Sequence, residues 1–341
     1  MTKPHPQNER LKHAYINRLR EARGMSEASI DQVVKALDRF ETYTRNRDFK
    51  LFHIEQAKGF KQYIAAQRNE RTNAPLSKTT IYSTLIALKV FFMWLAEQPG
   101  YRSRISYADT EYFNLNMKDT RIAKAVRESR VPTLEQIHHV LRSMPATTEI
   151  ELRDRALIAF TILTGARDGA IASLKLKHVD LDRNLLEQDA REVRTKASKS
   201  FPTFFFPVGG DVRTIVTDWV GYLRTEKLFG FDDPLFPASL VRIGPEGQFQ
   251  ADGVDRRHWS NSGPIRKIFK EAFARAKLPY FNPHSFRKTL AQLGQKTCRD
   301  IETMKAWSQN LGHEDLMTTF TSYGTLSRNR QADLIQSITS V

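Results

Sequence analysis

The chain has 341 residues, 40% of them hydrophobic and 10% aromatic, and carries a formal net charge of +15. Such a composition excludes wholesale disorder and leaves room for about two domains with cores of their own, while a single cysteine, Cys298, excludes an internal disulfide and a multi-cysteine zinc site and fits a reducing cytoplasm. The basic excess asks for an anionic partner, nucleic acid before a membrane surface, because no stretch reads as a membrane span, no lipidation signal or basic amphipathic helix is evident, and the N-terminus lacks the apolar core of a secretory signal.

Residues 1–24 are polar and basic and read as a tail or a frayed helix. Residues 25–115 read as a helical domain. Ser26 is placed to start a helix in which Ile30, Val33, Val34, Leu37 and Phe40 recur at helical spacing. "HIEQAKGFKQYIAAQ" reads as a second helix, and after a turn at Asn73–Pro75, Ser77 is a natural N-cap for a third. Its apolar stripe is Ile81, Leu85, Leu88, Phe92 and Leu95. Lys78, Thr79, Tyr82 and Lys89 lie largely off that stripe. Singly each is an ordinary solvated position; together, on a basic helix, they are candidates for DNA contact. Residues 116–130 lose periodicity and read as a linker.

The second domain, residues 131–341, opens at "VPTLEQI". "RDRALIAFTILTGARDGAIASLKLKHVD" is helical. The period then changes: a turn at Asp182–Asn184, a short strand at Val193–Thr195, a polar turn and a β-rich run from Phe201 to Val208 predict a small antiparallel sheet. Helical patterning resumes at "SNSGPIRKIFKEAFARAKL". The expected fold is therefore mainly α with a small antiparallel β-sheet, in two domains.

Several residues of the second domain suit chemistry on a phosphodiester, which needs fixed cations around the non-bridging oxygens, a nucleophile and a proton donor. Arg167 follows a Thr-Gly kink; alone it reads more readily as a surface arginine capping a neighbouring turn. Asn282 and Pro283 suit the N-cap and first position of a helix, and His284 and Arg287, three apart, then share one face at its positive end. Lys196 and Lys199 lie in the polar turn "RTKASKSF", where solvated lysines are the usual case. Gly312-His313 and Tyr323 complete the set; a lone helical tyrosine is more often core.

Taken in order, "TGARDGAIASLKLKHVD", "RTKASKS", "PHSFRKT" and "LGHEDLMTTFTSYG" resemble the tyrosine recombinase family, the phage integrases and the Xer- and Cre-like enzymes. The resemblance covers the second domain and, more weakly, extends to the first as the family's helical core-binding domain. It implies an α+β catalytic domain that cuts and rejoins DNA through a 3′-phosphotyrosine. Tyr323 would be the nucleophile, Arg167 and Arg287 the clamps on the phosphate, Lys196 the general acid with Lys199 the alternative, His284 an aid to proton transfer and His313 a hydrogen-bond partner of the phosphate. It implies no metal, no ATP and no other cofactor. The implied partners are double-stranded DNA bearing a specific site and a homo-tetramer formed on it from a monomer or weak oligomer. The C-terminal segment would dock on a neighbouring protomer or fold back on its own domain. Two departures stand out: Ala170 where the family often has an acid, with Asp168 nearby, and ten residues from His313 to Tyr323, one more than is common. Competing expectations are a type IB topoisomerase and a DNA-binding protein that does not cut.

Overall fold

The computed structural model describes residues 3–69, 72–125, 130–244, 247–313 and 335–336. It divides into two units, Met1–Ala125 and Val126–Val341, and the architecture is mostly helical with small antiparallel sheets, as the sequence pattern predicts.

The first unit contains α1 (Pro6–Glu21), α2 (Glu27–Thr44), α3 (Ile54–Ala66), α4 (Lys78–Glu97), the single turn α5 (Tyr107–Thr110) and α6 (Met117–Lys124). Its core is aromatic. Phe40, Phe49, Phe60, Phe91, Phe92 and Phe113 are fully buried, and the Phe52 ring stacks on Phe92 at 4.1 Å. Ser77 caps α4 by accepting the Thr80 N–H at 3.1 Å. Ser26 precedes α2 without bonding its backbone; its hydroxyl meets that of Ser29 instead, at 2.9 Å.

Three expectations need correction here. The segment read as a basic tail or a frayed helix is the packed helix α1, which buries Leu11, Tyr15 and Leu19 in the aromatic core. Its arginines and lysines hide an amphipathic pattern with few apolar members. Asn8 locks it in place: wholly buried, its amide donates to Glu41 Oε1 (3.1 Å) and to the Arg47 carbonyl (2.9 Å), and its oxygen accepts the Phe49 N–H (3.0 Å). Asn8→Ala leaves these groups unpaired in a closed site and is expected to cost about 2–4 kcal/mol in chemical denaturation of the full chain. Second, part of the segment read as a linker is α6, capped by Asn116, whose Oδ1 accepts the Asp119 N–H at 2.7 Å. Third, against the expectation that no stretch reads as a membrane span, α4 is long and apolar enough to cross one by length and composition, with mean hydropathy 1.5; half of that window is buried inside the protein.

In the second unit, α7 (Leu134–Ser143) and α8 (Glu149–Thr164) each start in a capping box, Thr133 with Gln136 and Thr148 with Glu151. Residues Ala156–Thr164 of α8 are buried on every side, so this helix is the spine of the core. A single turn, α9 (Asp168–Ile171), follows. Strands β1 (Val179–Asp180), β2 (Leu185–Gln188) and β3 (Phe201–Phe204) form an antiparallel sheet in that order, with Leu185 opposite Phe204 and Gln188 opposite Phe201.

The partner of β3 is thus Leu185–Gln188, not the expected strand at Val193–Thr195. Those residues belong to the connecting loop, which the Val193 N–H closes onto the Asp189 carbonyl at 2.8 Å. The β-rich run also stops early. Phe205 N–H makes the last in-register bond, to the Asn184 carbonyl, and Phe206 N–H leaves the ladder for the Leu163 carbonyl, both at 2.8 Å. Then come α10 (Gly210–Thr225), an unforeseen second hairpin of β4 (Ser239–Ile243) and β5 (Phe249–Val254), and the helices α11 (Gly263–Arg275), α12 (Pro283–Thr297) and α13 (Ile301–Asn310).

Candidate active site

The site is built where α8, α12 and α13 bring their ends together. Helix α8 ends at Gly165, which adopts φ +61° and turns the chain so that Arg167 stands at the N-cap of α9. The Arg167 side chain is half-buried, and its guanidinium makes no hydrogen bond or ion pair among the described residues. Removal from water pulls its pKa below the ordinary arginine value. A cation held in this condition is prepared for an anion from outside.

Helix α12 starts as its sequence predicts. Asn282 Oδ1 accepts the Ser285 N–H at 3.1 Å and Pro283 occupies the first turn. Arg287, on the same turn as His284, is buried. Its Nη1 donates to the Gly165 carbonyl at 2.5 Å, its Nη2 donates to the Leu311 carbonyl, and the same Nη2 lies 3.4 Å from His313 Nε2. One side chain therefore pins the starting turn of α12 to the last turn of α8 and the end of α13. His284 keeps one side open to solvent. Its pKa is lowered by the protein that replaces water around it, and then by repulsion from Arg287, Lys288 and Arg167.

His313 follows Gly312, which has φ +68° and packs so tightly on the Phe201 ring that a Cβ would come within 2.6 Å of it. Partial burial, then Arg287, Arg167, His284 and Lys196, push its pKa down to about 4. In the unfolded chain this ring takes its proton near 6.5, so the unfolded state binds it first, and the contribution to stability is lost as pH falls from there towards 4. A phosphate in the site reverses the balance by favouring the imidazolium. Imidazole NMR titration is expected to show His313 neutral to about pH 4 without ligand and titrating at higher pH with inorganic phosphate; an unmoved midpoint would argue against an anion beside this ring.

Lys196 stands exposed in the loop joining β2 to β3 and is one of the charges acting on His313. Lys199, half-buried, lines a groove with Phe201, Asn310 and His313. Arg167, Lys196, His284, Arg287 and His313 are therefore neighbours in one electropositive site. Tyr323 lies outside the described residues. Ala170 is buried, and the nearby carboxylate of Asp168 is held by Arg266 Nε at 2.8 Å. No group of three or more potential metal ligands occurs among the described residues.

The proposed DNA-contact residues of α4 are placed differently from the solvated face that the sequence implies. Lys78 pairs with Asp119 at 2.9 Å, Thr79 donates to the Ala123 carbonyl at 2.9 Å, and Lys124 sits over the Tyr82 ring at 5.4 Å. Lys89 pairs with Glu111 at 2.8 Å. All four meet the segment 111–124, which folds back on α4. Asn116 followed by Asp119 is the capping signal that could have revealed it.

Sequence reasoning also missed the relay joining sheet to helix. Gln188 Nε2 donates to Thr203 Oγ1 (3.0 Å), which donates to the Asn310 carbonyl (3.2 Å). The Asn310 side chain pairs with both backbone groups of Phe204, at 2.7 and 2.8 Å.

The chain is similar to known proteins over most of its length. The family model described as phage integrase family matches residues 130–330, and that of the phage integrase N-terminal SAM-like domain matches 13–99. Tyrosine recombinase XerD of Neisseria meningitidis (serogroup A) is 26% identical over 243 residues, 69% of this chain and 68% of its own. Tyrosine recombinase XerC of Lactobacillus leichmannii is 22% identical over 294 residues, 76% of this chain and 91% of its own. Among solved structures, a lambda integrase dimer bound to a COC′ core site aligns at TM-score 0.63 and 12% identity, covering 94% of this chain and 96% of that one. The XerH site-specific recombinase bound to a palindromic difH substrate aligns at 0.62 and 17%, covering 93% and 81%.

Proposed function

The chain belongs to the phage integrase family, and on that premise we propose that it is a site-specific DNA recombinase that cleaves and rejoins DNA through a 3′-phosphotyrosine. The observation that carries this reading is the convergence of Arg167, Arg287, His284, His313 and Lys196, with Arg167 unpaired among the described residues. Two arginines and a lysine gathered beside imidazoles that burial and these charges discourage from protonating await an anion, and a DNA phosphate is the one the family handles.

In the proposed step the Tyr323 oxygen attacks phosphorus, an O–P bond forms, and the bond from phosphorus to the 5′-oxygen breaks. The phenolic proton leaves with help from His284. The departing oxygen takes a proton from Lys196 and becomes a 5′-hydroxyl. Arg167 and Arg287 hold the non-bridging oxygens as charge builds on them, with His313 hydrogen-bonded alongside. A phenol has a pKa near 10, so neighbouring cations make its anion accessible. The phosphotyrosine conserves the energy of the broken ester, and rejoining is the same step in reverse. The enzyme acts in the cytoplasm on double-stranded DNA and assembles as a tetramer on its site.

Covalent trapping tests this. The full chain is incubated, in EDTA and without ATP, with nicked fragments from around its own gene, and the products are run on a denaturing gel. A protein-linked DNA band that Tyr323→Phe eliminates is expected. Specific binding with no adduct on any nicked fragment would leave a DNA-binding protein that does not cut. An adduct that persists in Tyr323→Phe would place the nucleophile elsewhere.

A further inference from the structure

The loop 189–200 carries Lys196, which is exposed, beyond the point where the ladder between β2 and β3 ends at Gln188 and Phe201. Ala197 and Ser198, just after it, adopt φ +58° and +51°, so the lysine rides on a sharply turned tip. A proton donor on such a loop must be anchored relative to the phosphate, and the anchor is two residues away. The Arg194 guanidinium donates to three carbonyls: Ser260 at 2.6 Å, Trp259 at 2.7 Å and Ala172 at 3.1 Å. Its backbone N–H donates to Ser173 Oγ at 2.9 Å, and that hydroxyl in turn donates to the Ala170 carbonyl at 2.9 Å. Ala170 belongs to α9, the turn that Arg167 caps.

We infer that Arg194 is a positioning residue that fixes the general acid Lys196 against the phosphate clamp Arg167. This rests on the recombinase reading of the site. The argument is one of connectivity. Arg194 joins the strand of chain leading into Lys196 to the stretch leading out of Arg167, through both its main chain and its side chain, and it bonds carbonyls rather than pairing with a carboxylate. A planar guanidinium reaching three carbonyls at once has no substitute in lysine. Without it the tip keeps its lysine but loses its registration. A donor displaced by about 1 Å loses roughly 100-fold in rate.

The consequence separates cleanly from DNA binding. The role of Lys196 is to protonate the departing 5′-oxygen. If that oxygen is replaced by sulfur, the group leaves as a thiolate and needs no proton, because a thiol is far more acidic than an alcohol. The test measures single-turnover adduct formation by the full chain on the DNA site recovered by trapping, made with either oxygen or a 5′-bridging sulfur at the scissile phosphate, together with affinity for the oxygen DNA. Arg194→Ala is expected to slow cleavage of the oxygen substrate by about 10- to 100-fold, to bind DNA as the wild type does, and to regain the wild-type rate on the sulfur substrate. Lys196→Ala is the reference. If sulfur fails to rescue Lys196→Ala, the general-acid reading of the site falls. If it rescues Lys196→Ala but not Arg194→Ala, or if Arg194→Ala chiefly weakens DNA binding, the positioning role is overturned. Should Arg194→Ala not fold, Ser173→Ala decides: it removes only the acceptor of the Arg194 N–H and is expected to give the same sulfur-rescued defect in milder form, while an oxygen-substrate rate equal to wild type would overturn the inference.

Discussion

Arg287→Ala is expected to lower the rate of DNA cleavage by about 10²- to 10³-fold, the effect of removing a fixed donor from charge that develops only in the transition state. It is also expected to destabilise the fold, which a merely catalytic arginine would not do. The side chain is buried and satisfies the carbonyls of Gly165 and Leu311, and each carbonyl left unpaired costs about 1–3 kcal/mol. Arg287→Lys restores a charge without the fork that spans two acceptors, so it is expected to recover part of the stability and little of the rate. Guanidinium denaturation and single-turnover adduct formation separate the two losses. Cleavage by Arg287→Ala at near the wild-type rate would remove this residue from the phosphate site.

The largest purely structural effect is expected at Gly165. At φ +61° any L side chain is strained by about 1–2 kcal/mol. A Cβ would also lie 2.9 Å from Leu290 Cδ1 and 3.1 Å from Leu311 Cδ2, and both leucines are completely buried with little space to retreat into. Overpacking of that kind costs about 1–3 kcal/mol. Gly165→Ala is therefore expected to lose about 2–5 kcal/mol in all. It is expected to slow cleavage as well, because the carbonyl that Arg287 grips belongs to this residue and Arg167 follows two positions later. A variant as stable as the wild type would mean that the turn relaxes in a way the packing does not allow.

What the sequence discloses follows the range over which each interaction acts. Ser77 and the pair Asn282–Pro283 mark helix starts because a cap bonds an N–H three residues away, and the structure places both. Strand pairing is a longer-range matter. The partner of β3 lies beyond an intervening loop, and the alternation at Val193–Thr195 is a local resemblance to a strand whose one buried valine serves as an anchor. Helix α1 escapes notice because only Leu11, Tyr15 and Leu19 mark its inner face amid basic residues, and its decisive contact is Asn8, a polar side chain that no apolar pattern can flag. Lys78, Thr79, Tyr82 and Lys89 look unpartnered along the chain because the segment that contacts them comes 20 or more residues later in sequence. As for the site, the order of Arg167, Lys196, His284, Arg287 and His313 carries the resemblance, but their convergence is a property of the ends of α8, α12 and α13. The grip of Arg287 on two carbonyls, and the anchoring by Arg194, exist only in three dimensions.

The double duty proposed for Arg287 sets the terms on which this protein can change over generations. A copy that loses the residue forfeits folded protein along with chemistry, so it has no ready path to an inert form that still occupies its DNA. Arg167, half-buried and bonded to no described neighbour, places no such tax on its loss. A descendant that keeps the scaffold and abandons cutting would be expected to drop Arg167 first and Arg287 last.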